Sequence, residues 1–195
     1  MNASRLMDPG KGRDFAGGLV LALGYLLLGI VPTALFATGY VGGFLLWVCT
    51  RGREFGFVAV RGPYWLTMAL FVAHKVEESQ TDFFPALSQL TGHPVPQEIT
   101  PAGALLYALA GAWLLVPVLM PRRMPFGSFL AWSFFCAMGI TELAHFVFPL
   151  FMAGPYAYFP GMATVALLAP SAWWGLFRMV RPVPGSSSGE TGKAT

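Results

Sequence analysis

Five His and Glu residues lie inside two long apolar stretches of the chain, where such side chains are rare. His74, Glu77 and Glu78 belong to the first stretch, and Glu142 and His145 belong to the second. Residues at i, i+3 and i+4 project from one face of a helix, so each stretch presents its group on a single face. Because an unpaired charge in hydrocarbon is costly, we expect both groups to face a bundle interior and to meet there.

Three kinds of chemistry suit these residues, and the sequence leaves all three open. The first is a metal site, because Glu and His at i and i+3 is a spacing that di-iron bundles use, and zinc also binds imidazole and carboxylate. Its predicted ligands are His74, Glu78 and His145, for Zn or Fe. The second is acid–base catalysis, with Glu77 and Glu142 as the predicted catalytic residues, each also a candidate ligand. The third is a hydrogen-bonded network that only fixes helix packing.

The composition indicates what kind of element holds these groups. Hydrophobic residues make up 55% of the 195 residues and charged residues only 11%, against roughly 25% charged in an average soluble domain. Lipid is the solvent that suits such a surface, and helices satisfy their own backbone there. We therefore predict an all-α, polytopic transmembrane helix bundle. The net charge of +3 is too small to predict a nucleic-acid partner.

The apolar stretches divide the chain into a bundle and two tails. Residues 1–14 are predicted to be a cytoplasmic N-terminal tail, residues 15–179 the transmembrane bundle, and residues 180–195 a disordered C-terminal tail rich in Ser and Gly. Four predicted spans are 63–79, 101–120, 126–150 and 160–177. The uncharged stretch 15–49 would form a straight helix about 52 Å long, against a hydrocarbon core of about 30 Å. It crosses the membrane either once or twice.

The basic residues favour two crossings by this first stretch. Six spans place both termini in the cytoplasm, together with eleven of the twelve Lys and Arg residues; five spans would put the N-terminal tail outside. The exception is Lys75, which lies within a span. The eleven are Arg5, Lys11, Arg13, Arg51, Arg53, Arg61, Arg122, Arg123, Arg178, Arg181 and Lys193. We therefore expect six spans rather than five, in the cell membrane.

Two motifs resemble those of a known family. His74-Lys75-Val76-Glu77-Glu78 reads H-x-x-E-E, and His145 is followed by Tyr158-Phe159-Pro160-Gly161-Met162-Ala163-Thr164, which reads Y-x-P-G-x-x-T. Over about residues 63–175 the chain resembles the HXXEE-motif family of integral membrane proteins, whose function is not established. The resemblance implies a membrane protein and no particular reaction.

The Y-x-P-G-x-x-T segment also has a physical interpretation. Pro160 and Gly161 predict a turn at a helix start, and Tyr158 suits a membrane interface. Alternatively, Tyr158 or Thr164 lines the site. The preceding loop, 80–100, is apolar enough to lie over the site as a lid, and its His93 is a weaker candidate ligand.

Two functions of different classes follow from these features. One is a membrane-embedded, metal-dependent enzyme that acts on a lipid or another apolar substrate entering from the bilayer. The other is a proton-coupled transporter or small-molecule binder, because intramembrane Glu and His residues also relay protons. A purely structural subunit is the third possibility. The sequence sets neither the substrate nor the oligomeric state.

Overall fold

The computed structural model describes residues 30–50, 56–92 and 108–181. These ranges are helical and contain no strand. The helices are α1 (Ile30–Cys49), α2 (Phe57–Gln80), α3 (Phe83–Thr91), α4 (Ala108–Leu119), α5 (Pro125–Gly139), α6 (Ala144–Val147) and α7 (Met162–Val180). Short 3₁₀ turns occur at Trp113–Leu115 within α4, at Thr141–Leu143 before α6 and at Phe148–Phe151 after it. The predicted tails and His93 lie outside the described residues.

Two helical segments in the described part are long and apolar enough to cross a membrane. They are Pro125–Phe151 and Met162–Val180, and they coincide with the last two predicted spans. The all-helical class is therefore confirmed, and the number of spans stays a prediction. In the uncertain stretch 15–49, residues 30–49 form the single helix α1, and residues 15–29 are not described.

Helix α5 lies at the centre of the bundle. All ten of its residues from Leu130 to Gly139 are buried, and it packs against α1, α4 and α7, while α2 packs along α7. Tyr64 and Trp113 fill the core beside it and satisfy their polar atoms there: the Tyr64 hydroxyl donates to the Trp113 carbonyl (2.9 Å), and Trp113 Nε1 donates to Ser133 Oγ (3.1 Å). Burial of these large apolar surfaces stabilises the bundle and fixes its helices around the site.

Helix α2 begins earlier than the predicted start at Pro63. Its first residue is Phe57, and Pro63 lies inside it. A proline has no N–H to donate to the carbonyl four residues earlier, which here belongs to Ala59. Nε of Arg178, on α7, donates to that oxygen at 3.0 Å. An arginine of the neighbouring helix thus supplies the hydrogen bond that the proline removes, and the helix continues.

The predicted helix over 126–150 is interrupted in the structure. Helix α5 ends at Gly139, and Ile140 leaves helical geometry (φ −125°, ψ −54°). The Leu143 N–H then bonds to the Ile140 carbonyl in a 3₁₀ turn (3.2 Å), so the Gly139 carbonyl is free to accept from Nε1 of Trp173 at 2.7 Å. A Cβ at residue 139 would lie 2.9 Å from Cδ1 of that tryptophan. The break therefore depends on a glycine and places the following turn against α7.

The segment 80–100, predicted as a loop, contains a helix. Asp82 adopts the left-handed conformation (φ 57°) between α2 and α3, and α3 runs from Phe83 to Thr91. Leu87 of α3 is buried against Phe148 and Phe159. The apolar pattern that indicated a lid thus forms a short amphipathic helix packed beside the site.

Candidate metal site

Four of the five predicted ionisable residues converge at one point. One ligand atom from each of His74, Glu78, Glu142 and His145 lies within 4.8 Å of the others. Nε2 of His74 is 3.1 Å from Glu78 Oε1 and 3.3 Å from Glu142 Oε2. Nε2 of His145 is 3.4 Å and 3.3 Å from the same two oxygens. The imidazoles are 0% and 3% exposed, so the group is buried and could hold a metal ion.

The outer nitrogen of each imidazole has a fixed partner. Nδ1 of His145 lies 2.6 Å from the Pro160 carbonyl oxygen, which can only accept a hydrogen bond. Nδ1 of His74 lies 2.9 Å from the Thr164 hydroxyl, whose own proton is directed to Glu77. Both Nδ1 atoms are therefore the protonated ones in a neutral ring, and both Nε2 lone pairs point into the group. Metal-binding histidines are oriented in this way.

The four N–O separations within the group match those expected around one small divalent cation. Four ligands at 2.0–2.1 Å in a tetrahedron lie roughly 3.3–3.4 Å apart, and the four N–O distances here are 3.1–3.4 Å. Nε2 of His74 is buried and, within the described residues, has no contact of hydrogen-bond geometry. It lies 3.1 and 3.3 Å from the two carboxylate oxygens without hydrogen-bond geometry toward either, as expected of a metal ligand.

Glu77 lies outside this group, although it is adjacent to Glu78 in sequence. Its carboxylate accepts the backbone N–H groups of Ala163 (3.0 Å) and Thr164 (2.8 Å) and the hydroxyls of Thr164 and Tyr158. These N–H groups belong to the first turn of α7, whose N-cap, Gly161, has no side chain to accept them. Burial and the hydrogen bond to Glu77 raise the pKa of the Tyr158 hydroxyl, which stays a donor.

Lys75, for which the sequence predicted no role, pairs with the predicted ligand Glu78. Its Nζ lies 2.6 Å from Oε2 of Glu78, and it also lies 5.5 Å from the centre of the Phe71 ring. Because Lys75 binds Oε2, only Oε1 of Glu78 faces the imidazoles. The carboxylate is thereby held in a one-oxygen orientation toward the group.

Aromatic side chains cover one side of the site. The ring centres of Phe83, Phe148 and Phe159 lie 5.2, 5.8 and 6.0 Å from that of His145. They come from α3, from the 3₁₀ turn after α6 and from the loop before α7. Such an apolar shell excludes water and strengthens electrostatic interactions within the group.

The sequence did not single out Gly161 as a site residue. It adopts φ +93°, and a Cβ there would lie 2.6 Å from Nδ1 of His145 and 2.7 Å from Cε1 of His74. The Pro-Gly pair predicted a turn at a helix start, and the structure has that turn. Only the tertiary contact reveals that it lies directly on the two imidazoles.

The predicted site residues thus fall into two adjacent sets. His74, Glu78 and His145, the predicted ligands, converge with Glu142, which had been predicted as catalytic. Glu77, the other predicted catalytic residue, contacts the two predicted lining residues Tyr158 and Thr164. The assignment of a catalytic role to any of them stays a prediction. No protein-family model, no curated protein and no solved structure matches this chain, so the resemblance to the HXXEE-motif family stays a prediction carried by its motifs.

Proposed function

We propose that this chain is a membrane-embedded, metal-dependent enzyme that acts on a lipid or another apolar substrate. The observation that carries the proposal is the convergence of two imidazole lone pairs and two carboxylate oxygens in a buried space. Four electron-pair donors that face one another repel unless a cation lies among them. One divalent ion balances two carboxylates, whereas a metal-free network, in which Lys75 already pairs with Glu78, would need a proton on one of the four groups to be neutral.

Unequal burial of the four residues supports a catalytic rather than a closed site. The side chains of His74 and His145 are 0% and 3% exposed, that of Glu78 is 9% exposed, and that of Glu142 is 15% exposed. Catalytic zinc sites have three protein ligands and one exchangeable position, and non-haem iron oxygenases use two histidines and one carboxylate. We assign the three buried residues as permanent ligands. Glu142 would hold the exchangeable position, and its carboxylate, when not bound to an ion, would accept a proton as general base.

The membrane setting is supported by the outer surface of the bundle. Large apolar side chains are exposed on several helices, among them Val58 at 81%, Phe151 at 73% and Leu167 at 64%. Such a surface is unfavourable in water and favourable in lipid. A substrate that reaches Glu142 from this surface would be apolar. With the charge pattern, this supports a cell-membrane location with both termini in the cytoplasm.

The metal content of the purified protein tests the first half of the proposal. We expect about one Zn or Fe ion per chain in protein purified in detergent, and loss of that ion in His74→Ala and Glu78→Gln. Asp82→Asn is the matched control, because it also removes one carboxylate, at an exposed position in the left-handed conformation that asparagine tolerates. Metal-free wild-type protein that binds neither ion on titration would contradict the proposal.

The enzymatic half is tested by turnover of lipid. The metal-loaded protein is reconstituted in vesicles of phosphatidylethanolamine and phosphatidylglycerol, into which a total lipid extract is mixed, and products are followed by mass spectrometry. We expect a change in the lipid composition that requires metal and that is lost in Glu142→Gln, a variant that retains the other three proposed ligands. Identical lipid profiles with wild-type and Glu142→Gln protein would contradict an activity on these lipids.

The transporter alternative rests on a different observation. Hydrogen bonds connect the exposed Tyr158 through Glu77 and Thr164 to His74, and such chains conduct protons in membrane proteins. The test is proton uptake, under a pH gradient, by vesicles that contain metal-free protein. Uptake that is abolished by Glu78→Gln would favour the transporter over the enzyme.

A further inference from the structure

We propose that Glu77 is a positioning residue for the metal site: acting through Thr164, it sets the tautomer of His74 so that the Nε2 lone pair faces the metal. The inference rests on the proposed metal site, because the tautomer of His74 matters to function only if its Nε2 binds a metal. It assigns different roles to the two adjacent glutamates of the H-x-x-E-E segment. Glu78 is a ligand, and Glu77 orients a ligand that it does not touch.

The first step is that Glu77 can only accept. Two backbone N–H groups of α7 point at its carboxylate, and an N–H can only donate. The tyrosine hydroxyl of Tyr158 donates to the same carboxylate. A carboxylate in this setting takes hydrogen bonds from every neighbour and is a strong, charged acceptor.

The second step concerns the single proton of the Thr164 hydroxyl. Its oxygen lies close to Glu77 Oε2, 3.2 Å from the Gly161 carbonyl and 2.9 Å from His74 Nδ1. The proton goes to the carboxylate, because a charged oxygen is a stronger acceptor than a carbonyl or an imidazole nitrogen. The oxygen is then an acceptor toward His74, so Nδ1 of the imidazole carries the ring proton.

The third step is the consequence at Nε2. If Thr164 donated to Nδ1 instead, the neutral ring would carry its proton on Nε2, where it would block metal binding. The tautomer of His145 does not depend on a second residue in this way, because the Pro160 carbonyl can only accept a hydrogen bond. His74 has a hydroxyl partner that can act either way, and Glu77 removes that ambiguity.

The ¹⁵N NMR spectrum of the histidine side chains in metal-free protein at alkaline pH tests the inference directly. His145→Gln and His93→Gln variants assign the His74 signals. In the wild type we expect a single tautomer with the proton on Nδ1. In Thr164→Val, which keeps the backbone N–H groups bound to Glu77, and in Glu77→Gln, we expect both tautomers. Thr164→Ser keeps the hydroxyl and should match the wild type.

Metal affinity provides the second readout. We expect Thr164→Val and Glu77→Gln to weaken Zn²⁺ binding by about 10–100-fold, as is usual for the residues that orient metal ligands, with Thr164→Ser near the wild-type value. If wild-type protein binds no metal, the proposed function fails, while the tautomer measurement still decides this inference. Unchanged His74 tautomers in both Thr164→Val and Glu77→Gln would overturn it, as would an Nε2-protonated His74 in the wild type.

Discussion

Nδ1 of His145 donates a hydrogen bond to the carbonyl oxygen of Pro160 at 2.6 Å. This contact joins the His145 imidazole on α6 to the residue before Gly161, where a positive φ turns the chain into α7. The loop that starts the last helix therefore also orients this proposed ligand. The site is consequently assembled from α2, from the turn before α6 and α6 itself, and from the N-terminus of α7, and it forms only when these segments pack together.

Gly161→Ala is expected to destabilise the protein and abolish metal loading. The new Cβ would lie 2.6 Å from His145 Nδ1, and φ +93° strains any side chain by about 1–3 kcal/mol. Gly154→Ala is the matched control, because Gly154 also has a positive φ (+122°) but no described atom within 4 Å of the added Cβ. Thermal unfolding in detergent and metal analysis are the measurements. Equal losses of stability with full metal loading in both variants would contradict the packing assigned to Gly161.

Trp173→Phe is expected to destabilise the break between α5 and the 3₁₀ turn. The substitution removes the hydrogen bond to the Gly139 carbonyl, and we expect a loss of about 1–3 kcal/mol in the free energy of unfolding, from the bond and from the space left behind. Trp174→Phe makes the same change at an adjacent residue of similar exposure and should cost less than about 0.5 kcal/mol. Similar losses of unfolding free energy in the two variants would show that the hydrogen bond from Trp173 to the Gly139 carbonyl does not stabilise the break.

The contact between Arg178 and Ala59 is tested by a double-mutant cycle with Pro63. Arg178→Met removes the donor to the Ala59 oxygen and should cost about 1 kcal/mol in unfolding free energy. Pro63→Ala restores an N–H that can bond to this oxygen, so the cost of Arg178→Met should shrink in that background. Additive effects of the two substitutions would contradict compensation.

Chelation of the metal is expected to lower the melting temperature more at pH 8 than at pH 5.5. A metal ion and protons compete for imidazole and carboxylate ligands, so a bound ion contributes less to stability at acidic pH. Thermal unfolding with and without EDTA at both pH values gives the comparison. Restoration by added Zn²⁺ is the control, and a chelator effect that is absent or larger at pH 5.5 would argue against a metal bound by these four residues.

The sequence was sufficient to predict the group itself, because helical spacing determines which residues share a face. His74 and Glu78 at i and i+4 meet as expected. Glu142 and His145 also meet, although they lie in a 3₁₀ turn and a short helix rather than in one continuous helix. The predicted contact between Glu142 and His145 is confirmed because residues three apart are also neighbours on a 3₁₀ turn.

Other features depend on contacts that are distant in sequence. Spacing alone cannot assign different roles to Glu77 and Glu78, since both lie within about one turn of His74. The N–H groups of α7 determine that the carboxylate of Glu77 lies outside the group. The interruption at Ile140 likewise depends on Trp173, which is far away in the chain. The local sequence pattern around Glu77 or Ile140 therefore does not identify the distant residues that it contacts or depends on.

X-ray absorption at the metal edge tests the central claim most directly. For protein loaded with one Zn or Fe ion, we predict a first shell of nitrogen and oxygen atoms only, at about 2.0–2.2 Å. It contains two imidazoles in the wild type and one in His145→Ala, which is measured in excess metal because loss of a ligand weakens binding. A shell that contains sulfur, or one in which two imidazoles remain after that substitution, would contradict a metal site formed by His74, Glu78, Glu142 and His145.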